Sequence, residues 1–198
     1  MQPPISFRGI EMNGALLEAH VKAFRLFPSQ ALQLLAKNGI GAAQPDGKIV
    51  IDFQRWYPMN AWLAAFNSIT EAVGKSVVFE IGREVPKHAQ LPPDVKDIHA
   101  SIRAVDVGYH MNHRRNGRPM FDPATGEMTE GIGHYGYEAR PGERRIVSVC
   151  ENPFPCTFDQ GILTAFARRF EPGALIVHVD SEPCRARDGK SCTYAITW

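Results

Sequence analysis

Cys184 and Cys192 bracket an Arg185-Ala186-Arg187-Asp188-Gly189-Lys190-Ser191 segment, and few backbone paths serve both thiols. A two-residue Asp188-Gly189 turn pairs 187 with 190 and sends the sulfurs to opposite faces of a ribbon. A three-residue loop, Arg187-Asp188-Gly189, puts Gly189 at the left-handed position of a bulge turn. It pairs 186 with 190, 185 with 191 and 184 with 192. The thiols then become cross-strand neighbours about 4.5–5.5 Å apart at Cα or Cβ. Cys156 opens a helical pattern, Thr157 to Phe170, and a helix N-terminus favours the thiolate that a metal requires. A thiol at a helix mouth and two on a ribbon suit tetrahedral zinc. His178, Asp180 and Glu182 lie just upstream of Cys184, and any of them completes the shell. With no general base alongside, such a metal reads as structural. The rival readings are a redox disulfide and reduced, buried thiols, the latter fitting Cys150 best because it closes the apolar run Ile146-Val147-Ser148-Val149.

Upstream, the periodicity alternates between helix and strand. Residues 14–27 and 29–38 read as helices, with Ser29 as N-cap and Asn38-Gly39 as a stop. Ile49, Ile51 and Phe53 alternate as in a strand. A clear helix runs from Pro58 to Gly74, with Trp62, Phe66, Ile69 and Val73 at helical spacing. Ser76 to Ile81 reads as a short strand and 86–93 as loop. Residues 94–113 read as a long helix burying Val95, Ile98, Ile102, Val105 and Tyr109. Strand patterns follow at 132–139 and 145–150, then the 157–170 helix, then strands at 175–180 and 191–198. The expectation is an α+β fold, a mixed antiparallel sheet flanked by helices. Residues 1–45 would form a helical arm suited to dimerisation, and 46–198 the ligand-binding domain.

Composition narrows the function classes. Lys plus Arg number 22 against 21 Asp plus Glu, a net charge of +1. That balance gives no electrostatic footprint for nucleic acid or an anionic membrane. No apolar run approaches the ~18 residues of a spanning helix. The opening residues lack the charged and apolar regions of a signal peptide, so the expected location is cytoplasmic. Gly131-Ile132-Gly133-His134-Tyr135-Gly136 matches the dinucleotide fingerprint in letters only. Strand and turn residues follow it, so no helix N-terminus would face a pyrophosphate.

Two further groups of side chains bear on function. His99, Arg103, Asp106, His110 and His113 lie one step round from the apolar stripe of the 94–113 helix. Asp106 and His110 are one turn apart, and with His113 they could meet a ligand, a proton or a metal. The aromatic residues include Trp62, Phe66, Tyr109, Tyr135, Phe154 and Phe158, enough to line a pocket for a small, flat or oily molecule. Polar handles would come from His110, His134 and Tyr135. Most of these rings are also what a core requires, and periodicity does not separate the two uses. No nucleophile triad, phosphate loop or paired-carboxylate signature is present.

The run Asn152-Pro153-Phe154-Pro155-Cys156-Thr157-Phe158-Asp159-Gln160-Gly161-Ile162, then Cys184-Arg185 and Gly189-Lys190-Ser191-Cys192-Thr193-Tyr194, resembles the 4-vinyl reductase domain family. That family includes ligand-sensing domains of phenol-responsive regulators and is similar in fold to haem nitric-oxide-binding domains and vesicle-tethering subunits. The resemblance implies a mixed α/β ligand-binding domain, commonly a homodimer, with zinc near the C-terminus on Cys156, Cys184 and Cys192. Phenol sensors carry a Glu three residues before the second Cys. Here Ser181 stands there and Glu182 follows, so His178 or Glu182 is the expected fourth ligand. The leading expectation is a sensor of a small hydrophobic or aromatic ligand, signalling to a partner protein. Its candidate ligand-binding residues are Trp62, Phe66, Tyr109, His110, His113, His134 and Tyr135. One alternative is a haem-binding gas or redox sensor with His110, His113 or His134 as axial ligand, although the Tyr-x-Ser-x-Arg haem signature is absent. The others are a tetrapyrrole reductase-type accessory enzyme and an assembly adaptor.

Overall fold

A computed structural model describes residues 7–24, 28–88 and 91–198. The elements begin β1 (Ile10–Asn13), α1 (Gly14–Ala23), α2 (Pro28–Lys37), β2 (Ala42–Ala43), β3 (Ile49–Val50), β4 (Trp56–Pro58) and α3 (Met59–Val73). There follow α4 (Lys75–Glu84), α5 (Ile98–Met111), β5 (His113–Arg115), β6 (Arg118–Pro119) and β7 (Glu138–Ala139). The chain ends with β8 (Arg145–Cys150), α6 (Cys156–Arg168), β9 (Leu175–His178) and β10 (Cys192–Thr197). The fold is mixed α+β with antiparallel sheets, as the sequence suggests. None of the described helices is long and apolar enough to cross a membrane.

The chain forms two compact units. The described residues up to Gly74, with His110–Gly131, make the first; Lys75–Tyr109 and Ile132–Trp198 make the second. In the first unit the sheet order is β4-β1-β5-β6, with a separate β2-β3 pair. Ile10 and Met12 of β1 point into a core shared with Leu17, Leu35, Tyr57, Met59 and Phe66. Asn13 ends β1 and caps α1, its Oδ1 accepting from Ala15 N at 2.9 Å. Such a cap satisfies one of the amides left open at a helix start.

In the second unit the order is β7-β8-β10-β9. Ile146, Ser148 and Cys150 of β8 lie level with Ile196, Tyr194 and Cys192 of β10 and face the core. α6 packs on this unit through Phe158, Ile162, Leu163 and Phe166. It also crosses α4 where two glycines meet. A Cβ on Gly82 would enter the backbone of Phe158, and one on Gly161 would enter that of Phe79. The open edge at β9 is covered by side chains of α6 and its last turn. Gln160 Nε2 donates to Ile176 O at 2.9 Å and Arg168 Nε to Ala174 O at 3.0 Å. Capping these carbonyls removes a template for stray strand pairing.

Several expected elements differ. Ser76 to Ile81 is helix α4 rather than a strand: Val78, Ile81, Gly82 and Val85 are buried, a helical spacing hidden by the apparent alternation of Val77, Phe79 and Ile81. The strand expected over 49–53 stops at Val50, because Asp52 folds into a turn that accepts from Gln54 N and the Tyr57 hydroxyl. The 94–113 helix starts at Ile98, since Asp97 caps it through Ala100 N at 2.7 Å. It ends at Met111, so His113 belongs to β5 and not to the face that carries His110. Of 132–139, only Glu138–Ala139 and a bridge from Tyr135 to Cys150 are β structure. Gly133, at φ 77°, presses against the Glu151 carbonyl and bends this stretch. α1 ends at Ala23; residues 25–27 lie outside the described residues, and Ser29 sits inside α2.

Gly161→Ala pushes a methyl into backbone that cannot yield as a side chain would. It should cost about 1–3 kcal/mol in urea unfolding. A second prediction concerns His20, which is 2% exposed and bonds Leu16 O through Nδ1 at 2.8 Å. Burial, against the Leu16 bond and with help from His113, lowers its pKa to about 4. Its neutral form therefore favours the folded state above the ordinary value of 6.5, and this is lost as pH falls toward 4. Over that window about 3 kcal/mol should disappear from the unfolding free energy of the wild type. His20→Gln should show a correspondingly flatter pH dependence.

Candidate metal centre

Three elements of the second unit deliver the cysteines. Pro155 precedes α6 and leaves Cys156 as its first residue. Cys192 begins β10 opposite Cys150 of β8. Cys184 stands before a 3-10 turn, Arg185–Arg187, and its carbonyl accepts from both Arg187 N and Gly189 N. The expected ladder pairing of 184 with 192 is not formed. Asp188, at φ 58°, takes the left-handed position expected of Gly189, and the tight turn replaces the upper ribbon. The two thiols meet all the same, because the turn folds Cys184 back over the start of β10.

The sulfurs lie 3.5 Å (Cys156–Cys184), 3.2 Å (Cys156–Cys192) and 3.8 Å (Cys184–Cys192) apart. A disulfide needs about 2.05 Å. Two thiolates on one tetrahedral zinc, at Zn–S of about 2.3 Å, stand about 3.8 Å apart. The observed spacing suits sharing an ion. His178, the last residue of β9, joins the group, so that one ligand atom from each of the four side chains lies within 4.8 Å of the others. Its Nδ1 is held by Asp180 Oδ1 at 3.0 Å, and its Nε2 is buried with no hydrogen-bond partner. An imidazole oriented by a carboxylate on one nitrogen presents the other to a metal. Of the three residues considered for the fourth position, His178 is in the group, Asp180 stands behind it, and Glu182 is exposed and apart from it.

The electrostatics favour a thiolate at one sulfur first. Burial raises the Cys192 pKa, but the Arg185 side chain and backbone N–H outweigh it and bring the group down to about 6. Burial and the neighbouring thiols push Cys156 up to about 12. A thiolate is thus favoured at Cys192 before its neighbours, and a bound cation would favour more. Tyr194 hydroxyl, donating to Cys156 O at 2.7 Å, fixes the helix mouth against β10. Cys150 is fully buried beside Ser148 and is not in the cluster.

The aromatic and histidine set is divided between the units. Trp62 and Phe66 are fully buried in the first, with ring centroids 5.2 Å apart, and His20 packs edge-on to Trp62 at 4.7 Å. His110 and His113 are also buried there. In the second unit, Tyr109 donates to Ile132 O and Tyr135 to Asp159 Oδ1, and the two rings meet edge-on at 5.4 Å. His134 is half-buried, with Nδ1 on Asp106 Oδ2 at 2.9 Å, while Tyr135 N donates to Asp106 Oδ1. Asn152, Asp159 and Arg185 stand in the motif quoted from the sequence, but none of them carries a role there. Asp159 is an acid in the otherwise largely apolar face of α6, and Arg185 directly follows a candidate ligand cysteine; those were the available signals.

No family model matches the chain, and no curated protein matches it. Solved structures do. An H-NOX protein from S. oneidensis in the Fe(II) state is 14% identical, with a TM-score of 0.61 over 94% of this chain and 95% of that one. The Fe(II)NO form of the S. oneidensis protein gives 14%, 0.60, 93% and 98%. A structure from work on haem distortion in the H-NOX family gives 13%, 0.60, 94% and 95%. At such identities the likeness establishes the fold: this chain has the H-NOX fold.

Reduced protein exposed to zinc should hold one ion per chain by elemental analysis, and Cys192→Ser should abolish stoichiometric binding. Stripping the ion with a chelator should lower the melting midpoint by about 10 °C or more.

Proposed function

We propose that this chain is a small-molecule sensor domain on the H-NOX fold, its second unit locked by a structural zinc ion on Cys156, Cys184, Cys192 and His178. The observation carrying the zinc is the trio of sulfurs 3.2–3.8 Å apart beside the buried, carboxylate-oriented His178. The closing motif, similar to that of the 4-vinyl reductase domains, points the same way. Support for sensing comes from the fold, matched over 94% of the chain by a protein described in its Fe(II) ligation state.

That precedent favours a haem-borne diatomic gas over the free aromatic ligand suggested by composition. A haem needs an imidazole as axial ligand, and His134, oriented by its bond to Asp106, is the candidate for that role. Bound haem would supply an iron with a coordination position for the gas. Asp106, clamped by the Tyr135 amide and His134, would set the tautomer and direction of the imidazole. Among the other axial candidates, His110 and His113 are fully buried. The aromatic-ligand reading rests on composition and on the family resemblance. The proposed route for reporting occupancy is a homodimer contact or a separate partner. The reductase alternative rests on the family resemblance alone.

Metal analysis with an absorption spectrum, before and after adding haem, tests this. One zinc per chain and a Soret band lost in His134→Ala are the expected results. A band unchanged by that substitution would move the axial role to another residue. Thermal-shift binding of phenols without a Soret band would restore the aromatic-ligand reading. A protein that never takes up zinc would remove the staple.

A further inference from the structure

Asp159 lies three residues after Cys156 on α6 and is fully buried. A lone carboxylate in such a place costs several kcal/mol, so its partners matter. Oδ1 accepts from the Tyr135 hydroxyl at 2.7 Å and from Asn152 Nδ2 at 3.2 Å. Oδ2 accepts from the Arg185 guanidinium, whose side chain is 14% exposed. All three nitrogens of that guanidinium are engaged: Nη2 on Asp159, Nη1 on the carbonyl and side-chain oxygens of Asn152, and Nε on Cys192 Sγ at 3.4 Å. The backbone N–H of Arg185 adds a second bond to the same sulfur at 3.5 Å. A planar fork is suited to such a junction, whereas a lysine ammonium is a point charge on a flexible stem.

Resting on the metal reading above, we propose that Arg185 is the positioning residue of the cysteine–histidine centre. It fixes the donor strength of Cys192 and, through Asp159, links the centre to the Tyr135 hydroxyl. The chain of contacts runs Cys192–Arg185–Asp159–Tyr135, and Tyr135 is joined through its own amide to Asp106 and so to His134. All of these groups belong to the second unit. N–H bonds to a thiolate draw electron density from the sulfur, and the strength of those bonds depends on where the guanidinium sits. Tyr135 and Asn152 share Asp159 with Arg185, so losing the hydroxyl lets the carboxylate and the guanidinium shift together. A disturbance at Tyr135, one residue from the proposed axial imidazole, thereby reaches the metal without touching a ligand.

Cobalt(II) in place of zinc makes the effect visible, because the sulfur-to-cobalt charge-transfer band reports thiolate donor strength. Arg185→Met should move the band to longer wavelength and weaken zinc binding about 10–100-fold, the range of other second-layer changes. Arg185→Lys should fail to restore it. Tyr135→Phe should shift the band in the same direction by less, and it carries the test alone if the Arg185 variants do not fold. A cobalt-loaded wild type with superimposable spectra in Tyr135→Phe and the Arg185 variants overturns the relay while leaving the metal site intact. A wild type that takes up no cobalt overturns the metal reading and this proposal with it.

Discussion

Helix α6 lies against α4 only because Gly82 and Gly161 let two backbones touch. With a side chain at either position the helices would separate, and the first turn of α6 would move with them. That turn carries Cys156 and Asp159, the points where the metal centre and the buried polar network begin. The α6 side of the candidate metal centre is thus referenced to one close crossing. The sheet supplies the counterpart: β9 ends in His178 and β10 starts with Cys192, so the ends of two strands face the mouth of the helix.

The network behind the centre changes what a metal does there. A zinc on three thiolates and one imidazole would by itself only staple β10 to α6. Arg185 gives the staple a second contact, a buried ion pair that is costly to form and more costly to leave half-made. Burial pushes Asp159 up, with Arg185, Tyr135 and Asn152 opposing it, and the Arg185 charge is in turn strengthened by Asp159. Removal of any one partner strands the others in a low-dielectric interior. Such a network has few intermediate arrangements, because each group in it shares its partners with another.

The H-NOX fold sets an expectation about ligands but does not identify one, since a fold hosts whatever site its side chains build. Here the Tyr109 and Tyr135 hydroxyls are committed to Ile132 and Asp159. His134, by contrast, is only half-buried and is oriented by Asp106. The case for haem therefore leans on a single imidazole and the precedent of the fold, while the case for zinc rests on four side chains already assembled.

Much of this could be read from the sequence. Cys156 at a helix mouth, the pair Cys184 and Cys192, and α3 with Trp62 and Phe66 follow from local spacing, which depends only on backbone periodicity and turn chemistry. The failures have a common cause. The α4 segment looked like a strand because alternation and helical spacing coincide over six residues, and tertiary burial decided between them. The 184–192 ladder was replaced by a 3-10 turn because the Cys184 carbonyl gathers two amides at once. The choice of His178 over Glu182, and the partnership of Asp159 with Arg185 across 26 residues, lay beyond any local pattern. The sequence determined which chemical groups the chain has and the periodicity of its elements. The tertiary structure alone decided which distant groups share a buried volume, because only there does the cost of an unpaired charge force each to find its partner.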